Sequence, residues 1–160
     1  MTAFRTASLL LSILLAPIAQ ADPKETTATT PPLEGTKWVL ELMEEKKDGK
    51  TQKTKPIVSP MVTLDFADGN ATGMSTVNSY GCPVKVDPKK GSILFDGIIG
   101  GLRFGEETAM KQEKTYLRLL ATMTTYKVEK EKLILSNKEG SAKLRFIAFA
   151  DRGIRIGPIP

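Results

Sequence analysis

The 160-residue chain contains no histidine. That removes the side chain most often used as a general base near neutral pH, the commonest metal ligand, and every Ser–His or Cys–His nucleophile pair. It has one cysteine, Cys82, so no disulfide can close within the chain. Metal sites assembled from Cys and His are excluded with it. Long apolar runs are also missing. The longest, residues 7–15, is too short to span a bilayer. No excess of one charge dominates either. The formal net charge is +5, and removing Arg5 with a leader leaves 22 bases against 18 acids, or +4. Because the charges are interspersed, a solvated mixed surface is favoured over a basic face for nucleic acid or anionic lipid.

Residues 1–21 read as a secretory signal peptide: Arg5 supplies the positive region, residues 7–15 the apolar region, and Ala19-Gln20-Ala21 a small-residue cleavage site. Cleavage between Ala21 and Asp22 is expected. The weighed alternative is an uncleaved anchor. No cysteine sits near the cleavage site, so a lipid anchor there is not expected. Residues 22–32 (DPKETTATTPP) are polar and proline-ended, with nothing to bury, and are predicted to be a flexible tether. These features imply a soluble mature protein, periplasmic or secreted.

The remaining chain reads as short strands around one helix. Residues 38–42 form a first strand with Trp38, Leu40 and Leu42 on one face. Trp38 is read as a core anchor in preference to a ligand-stacking ring. Residues 44–55 read as a charged loop, and Pro56 and Pro60 keep the next few residues out of a central strand. Val62, Leu64 and Phe66 alternate, and Asp68-Gly69-Asn70 signals a hairpin. Residues 71–78 return as a strand, with Gly73 marking a bulge or bend. Residues 80–83 read as a turn, and residues 84–87 and 93–95 as strands. Asn70-Ala71-Thr72 matches a glycosylation triplet of little specificity. The glycine-rich stretch 97–105 (GIIGGLRFG) precedes the helix, but it lacks the Gly-Lys-Ser/Thr ending of a phosphate loop. Glu106 and Glu107 would also repel an anion there. Strands come next at 125–128, 133–135 and 143–149, and the ending 151–160 is read as a loose tail in preference to an added edge.

The helix is predicted over residues 106–123, with Met110, Leu117, Leu120 and Met123 on its apolar face. A lone amphipathic helix needs a sheet to cover. Glu113 falls on the same face. An unpaired buried carboxylate costs several kcal/mol, roughly, so it must find partners. The favoured reading is a structural carboxylate held by backbone N–H groups or a base such as Arg103. The alternative is a general acid or base with a raised pKa.

Residues 33–40 (LEGTKWVL) resemble the L-x-G-T-x-W-x-L opening of the META domain, or HslJ-like, family. Leu64-Asp65-Phe66 is similar to its next strand, and Gly81-Cys82 to its G-C-N turn. Gln112-Glu113, Tyr116-Leu117 and Leu120 resemble its q-E-x-x-f/y-L-x-x-L helix. Residues 133–135 and 144–146 resemble its closing strands. The resemblance covers residues 33–149 and implies a mainly β (α+β) domain over residues 33–150: a compact antiparallel β-barrel-like sheet with one amphipathic helix packed across it. It also implies an exported or envelope protein of bacteria, in a family some of whose members are tied to stress response. The implied fold is similar to that of secretion pilot proteins. No catalytic residues carry over. Two departures stand out. Pro83 replaces the Asn after the cysteine, and the second cysteine expected before the helix appears as Gly105 or a neighbour. Cys82 is then either a small buried hydrophobe, the favoured reading, or a thiol pairing with another chain.

These readings point to a non-enzymatic envelope protein, periplasmic or secreted, that presents a surface to a protein partner. The alternative is a small carrier with an apolar ligand or lipid tail in the barrel. A hydrolase working with carboxylates alone would need two facing acids, which the sequence does not show. No cofactor and no nucleic acid are expected, and the chain is expected to be monomeric.

Overall fold

A computed structural model describes residues 32–57 and 59–149. The expected leader, the Ala21/Asp22 cleavage site, the tether up to residue 31 and the tail 151–160 lie outside the described residues. The protein is a closed, eight-stranded antiparallel barrel with one helix packed across it. The strands are β1 (Lys37–Lys47), β2 (Lys50–Thr54), β3 (Thr63–Ala67), β4 (Asn70–Met74), β5 (Ser79–Asp87), β6 (Ser92–Phe95), β7 (Ile99–Gly100), β8 (Met123–Glu129), β9 (Lys132–Asn137) and β10 (Ala142–Ala148). The ring runs β1-β3-β4-β5-β6-β8-β9-β10 and closes where β10 pairs with β1. The thinnest seam joins β6 to β8 through the single pair Ser92↔Thr125, helped by Tyr126 N–H donating to Gly91 O at 2.8 Å. Two strands stand outside the ring: β2 extends the far half of β1, and β7 pairs with the start of β5.

Local chemistry sets most of the turns. Asp48-Gly49 and Asp68-Gly69 both have two positive φ values (50° and 74°, 52° and 71°), the backbone that a two-residue hairpin between right-twisted strands requires. The first of these corrects the expectation of a loop over 44–55. A hairpin forms there, and its strand β2 is exposed at every residue, so no apolar alternation announced it. The face of β1 is also corrected. A register shift between Leu40 and Leu42 turns the strand, so Met43 is buried while Leu42 is only half-buried.

Residues 80–83 are not a turn: they run straight within β5. Pro83 lies at the last pair to β4 and just before the first pair to β6, so its missing N–H interrupts no continuous ladder. Gly73 is not a bulge, since it pairs in register with Tyr80. The carbonyl of Thr63 fills the space a Cβ would occupy there.

The helix α1 (Glu107–Leu120) is shorter than expected. Thr122 N–H closes onto Leu119 O, and Met123 already belongs to β8, because the β-branched and aromatic run 122–126 favours a strand. Its buried stripe is Gln112, Glu113, Tyr116, Leu119 and Leu120, with Met110 and Leu117 only half-buried. The Tyr116 ring stacks edge-on against Tyr80 of β5 (5.7 Å) and Phe146 of β10 (6.5 Å). Those strands stand opposite each other in the ring, so the helix plugs the barrel. Leu64, Leu120, Leu133, Leu135, Leu144 and Phe146 complete an interior with no exposure. Outside, Arg118 grips Glu45 of β1 through two bonds of 2.8 and 3.0 Å, fixing the end of the helix to the barrel.

Candidate functional site

The opening motif is a small polar lock. Trp38 Nε1–H donates to Thr36 Oγ1 at 2.7 Å, and the Thr36 hydroxyl donates to Leu33 O. Gly35, at φ 75°, donates its N–H to Phe66 O at 2.8 Å. The Trp38 ring itself is 4 % exposed and belongs to the core. Cys82, paired with Ala71 across the β4–β5 ladder, is 5 % exposed and free. Burial pushes its thiol up, with partial opposition from the Asp96 backbone amide. A cysteine at 105 would not simply complete a pair, because a Cβ there would lie 2.7 Å from Val77 Cγ2.

Glu113 is the centre of a second lock. Its Oε2 accepts from Val77 N–H (3.0 Å), Asn78 N–H (2.8 Å) and the Ser75 hydroxyl (2.8 Å). The Ser75 proton is shared with Asn78 O at 2.7 Å. Oε1 accepts from Asn78 Nδ2 at 2.8 Å. Burial alone would raise this carboxyl. The bonds from Asn78, Ser75 and Val77 outweigh it and hold it below the ordinary glutamate range. Of the partners expected for it, backbone N–H groups hold it and the Arg103 side chain does not. The neighbouring Gln112 donates to Thr76 Oγ1 (2.8 Å) and accepts from Ile57 N–H (2.7 Å), so two adjacent helix residues clamp two segments. Thr76 is held at φ 128°, a backbone position that a β-branched residue reaches only when its surroundings over-determine it.

A general acid must hold its proton near neutrality and reach a substrate. Glu113 is 7 % exposed, ionised and fully subscribed, an arrangement suited to fixing a turn. Tyr80 and Tyr116 share a buried hydroxyl contact of 2.7 Å, with Tyr80 close to Thr63 O at 2.9 Å, and burial raises both phenols. Among the described residues, no three Cys, Asp or Glu side chains gather as a metal set.

The lock reaches the surface through Asn78. Its second amide N–H donates to Arg103 O (3.1 Å), and its Oδ1 accepts from Arg103 N–H (2.8 Å). Gly101 N–H donates to Ser79 O at 3.0 Å, and a Cβ on Gly101 would lie 2.6 Å from Asn78 Oδ1. The backbone of 97–105 is therefore pinned at β7, Gly101 and Arg103. Ile98 packs partly against the core, but three other side chains project outward: Ile99 is 77 % exposed, Leu102 92 % and Phe104 96 %. Three apolar side chains on a fixed backbone, nearly free of contact, form a surface feature that single scattered residues do not. Sequence reasoning tested this stretch only as a phosphate loop. The available signal was its lack of any polar side chain besides Arg103.

Trp38, Cys82 and Glu113 are not brought together as one site: the first two sit in the apolar core and the third holds the 75–78 turn. Surface grooves among the described residues include two beside the barrel. One, of about 410 Å³, lies between the β1–β2 hairpin and α1. The other, about 260 Å³ and mainly apolar, is lined by Leu33, Phe66, Val84 and Val86 with Pro32 and Pro88.

Residues 31–149 match the sequence profile of the META domain. The chain belongs to the META domain family. The opening lock and the Gln112-Glu113 clamp supply physical roles for the motifs that carry the resemblance. No curated protein is similar enough in sequence to count as a relative. Among solved structures, an NMR structure of a protein from Burkholderia xenovorans superposes with a TM-score of 0.64 at 20 % identity, covering 87 % of this chain and all of that one. A crystal structure of a DUF4847-family protein from Bacteroides vulgatus gives 0.50 at 14 % identity, over 78 % of this chain and 95 % of that one. A further protein structure, determined by NMR, gives 0.51 at 16 % identity, over 72 % and 90 %. At these identities the likeness is one of fold. Among the described residues no helix of this META domain is long and apolar enough to cross a membrane.

Proposed function

We propose that this META domain protein is an exported accessory factor of the bacterial envelope, periplasmic or secreted, acting by binding a protein partner and not by catalysis. The observation that carries this reading is the pinned loop 97–105 with Ile99, Leu102 and Phe104 turned outward. A rigid apolar knob fills a partner's pocket with little further loss of chain entropy. The absence of histidine and the leader-like residues 1–21 support the same reading, and stress conditions are where the partner is to be sought. The factor is a monomer when its partner is absent.

The test is capture from envelope extract by the wild-type chain and by a Leu102→Ser/Phe104→Ser variant. One enriched protein lost with the variant is expected. Equal capture by both, or none under normal growth, heat and drug stress, would sink the reading. Export is checked by the mass of the protein recovered from the producing cell, expected to begin at Asp22.

A second reading, an apolar ligand or lipid tail, is favoured only by the groove beside Leu33 and Phe66, since side chains fill the barrel interior. Displacement of a fluorescent fatty acid, lost on Val86→Glu, is its test.

A further inference from the structure

The hairpin β1–β2 has a feature that the exposed loop does not share. β2 pairs with β1 on one side only and ends the sheet, so its other edge has no strand partner among the described residues. In an antiparallel pair, alternate residues turn their N–H and C=O away from the neighbour. Lys50 pairs with Lys47 across the two-residue turn, which leaves Thr51 and Lys53 with backbone groups facing outward. The alternate β2 residues Gln52 and Thr54, with Lys55, line one side of the 410 Å³ groove, and Thr108, Lys111 and Thr115 of α1 line the other. Met43 and Leu119 make an apolar floor, and Ile57 stands 38 % exposed at its side.

The charge around that edge is one-sided. Residues 44–55 contain five lysines and, besides Asp48 of the turn, two acids. Glu45 is taken by Arg118 and by Lys47 (3.4 Å), and Glu44 by Arg145 (3.0 Å) and by Lys53 (4.0 Å). Lys46, Lys50 and Lys55 have no acidic partner within 4 Å among the described residues. Edge lysines are a known guard against self-pairing, because two copies would lay like charges side by side. The same lysines favour an incoming strand of opposite charge.

We infer that the free edge of β2 and the groove beneath it form a docking site for an extended, acidic segment of another protein, which adds a strand to β2 and drops an apolar side chain towards Met43 and Leu119. Backbone bonds at Thr51 and Lys53 supply the pairing, and the lysines supply the selectivity. The site uses strands separate from loop 97–105, so it stands or falls independently of the partner reading given above.

The test uses the full chain, isotopically labelled, and two seven-residue peptides with valines at the centre and either glutamates or lysines at both ends. The glutamate peptide is expected to shift the Thr51 and Lys53 amide signals and slow their hydrogen exchange. Its affinity falls at least about fivefold between about 0.05 and about 0.3 M salt. The lysine peptide is expected to do neither. A Lys50→Glu/Lys55→Glu variant, altering two exposed side chains with unchanged melting, is expected to exchange the preference. Four results would overturn the inference: equal binding of both peptides, no binding of either, protection elsewhere with Thr51 and Lys53 unmoved, or a preference unchanged in the variant. So would slow exchange of these two amides without peptide, because the edge would then be covered by the chain itself or, if concentration-dependent, by a second copy.

Discussion

Replacing Glu113 by Gln changes almost no volume and removes one charge, so it isolates the bonding of the 75–78 turn from packing. In the native site every donor points at a carboxylate oxygen. A glutamine offers one oxygen and one NH2. If its oxygen keeps the three contacts at the Oε2 position, its NH2 faces Asn78 Nδ2 and two donors meet. Asn78 cannot turn over to relieve this, since its amide is used on both sides by Arg103. One bond to a charged acceptor is worth about 1.5–3 kcal/mol, and the remaining bonds lose their charge assistance, giving a cost of about 2–4 kcal/mol near pH 7. For a domain of this size that lowers the melting temperature by about 10 °C.

The pH dependence has a definite sign. The folded carboxyl lies below its ordinary value of 4.5. Its stabilisation is therefore fully present above that value and is lost as pH falls through the lower folded pKa. The gap between wild type and Glu113→Gln should stay constant from neutral pH to about 5, then narrow in acid. Thermal melts by circular dichroism across this range measure it. A Tm change under about 2 °C at neutral pH, or a gap that persists undiminished near pH ~2, would refute the assignment.

Asn78→Ala severs the link between clamp and loop, so hydrogen exchange of the Gly101 and Arg103 amides is expected to quicken together with a stability loss of about 2–3 kcal/mol. Exchange unchanged in the loop would show that it is held by other means. Leu120→Ala should cost about 2–5 kcal/mol in denaturant unfolding, since the side chain has no exposure and its neighbours span the barrel. Cys82, buried and with its thiol pushed up, should resist a thiol reagent in the native protein and react at once in denaturant. Arg118→Ala, by contrast, should change stability by less than about 1 kcal/mol, because its bond to Glu45 is solvent-exposed.

The alternating strands around Leu64, Leu133 and Leu144, the lone helix, the core place of Trp38 and the burial of Glu113 were all legible in the residues. Periodicity of two or near 3.6 is a local property, and a carboxylate on an apolar stripe declares itself. The lysine-rich β2 was not legible, because a strand exposed on both faces carries no alternation. Nor was the straight path through Tyr80–Pro83, where neighbouring strands override the turn preference of Gly and Pro. What holds Glu113 lies on a turn 35–38 residues away, so only the folded chain could choose between the backbone N–H groups and the base that the sequence left open, and add the Asn78 amide and the Ser75 hydroxyl. The same holds for loop 97–105. Its composition alone suits a buried segment or a displayed one, and the choice is made by Asn78 and β5, which tie down the backbone and leave Ile99, Leu102 and Phe104 outside.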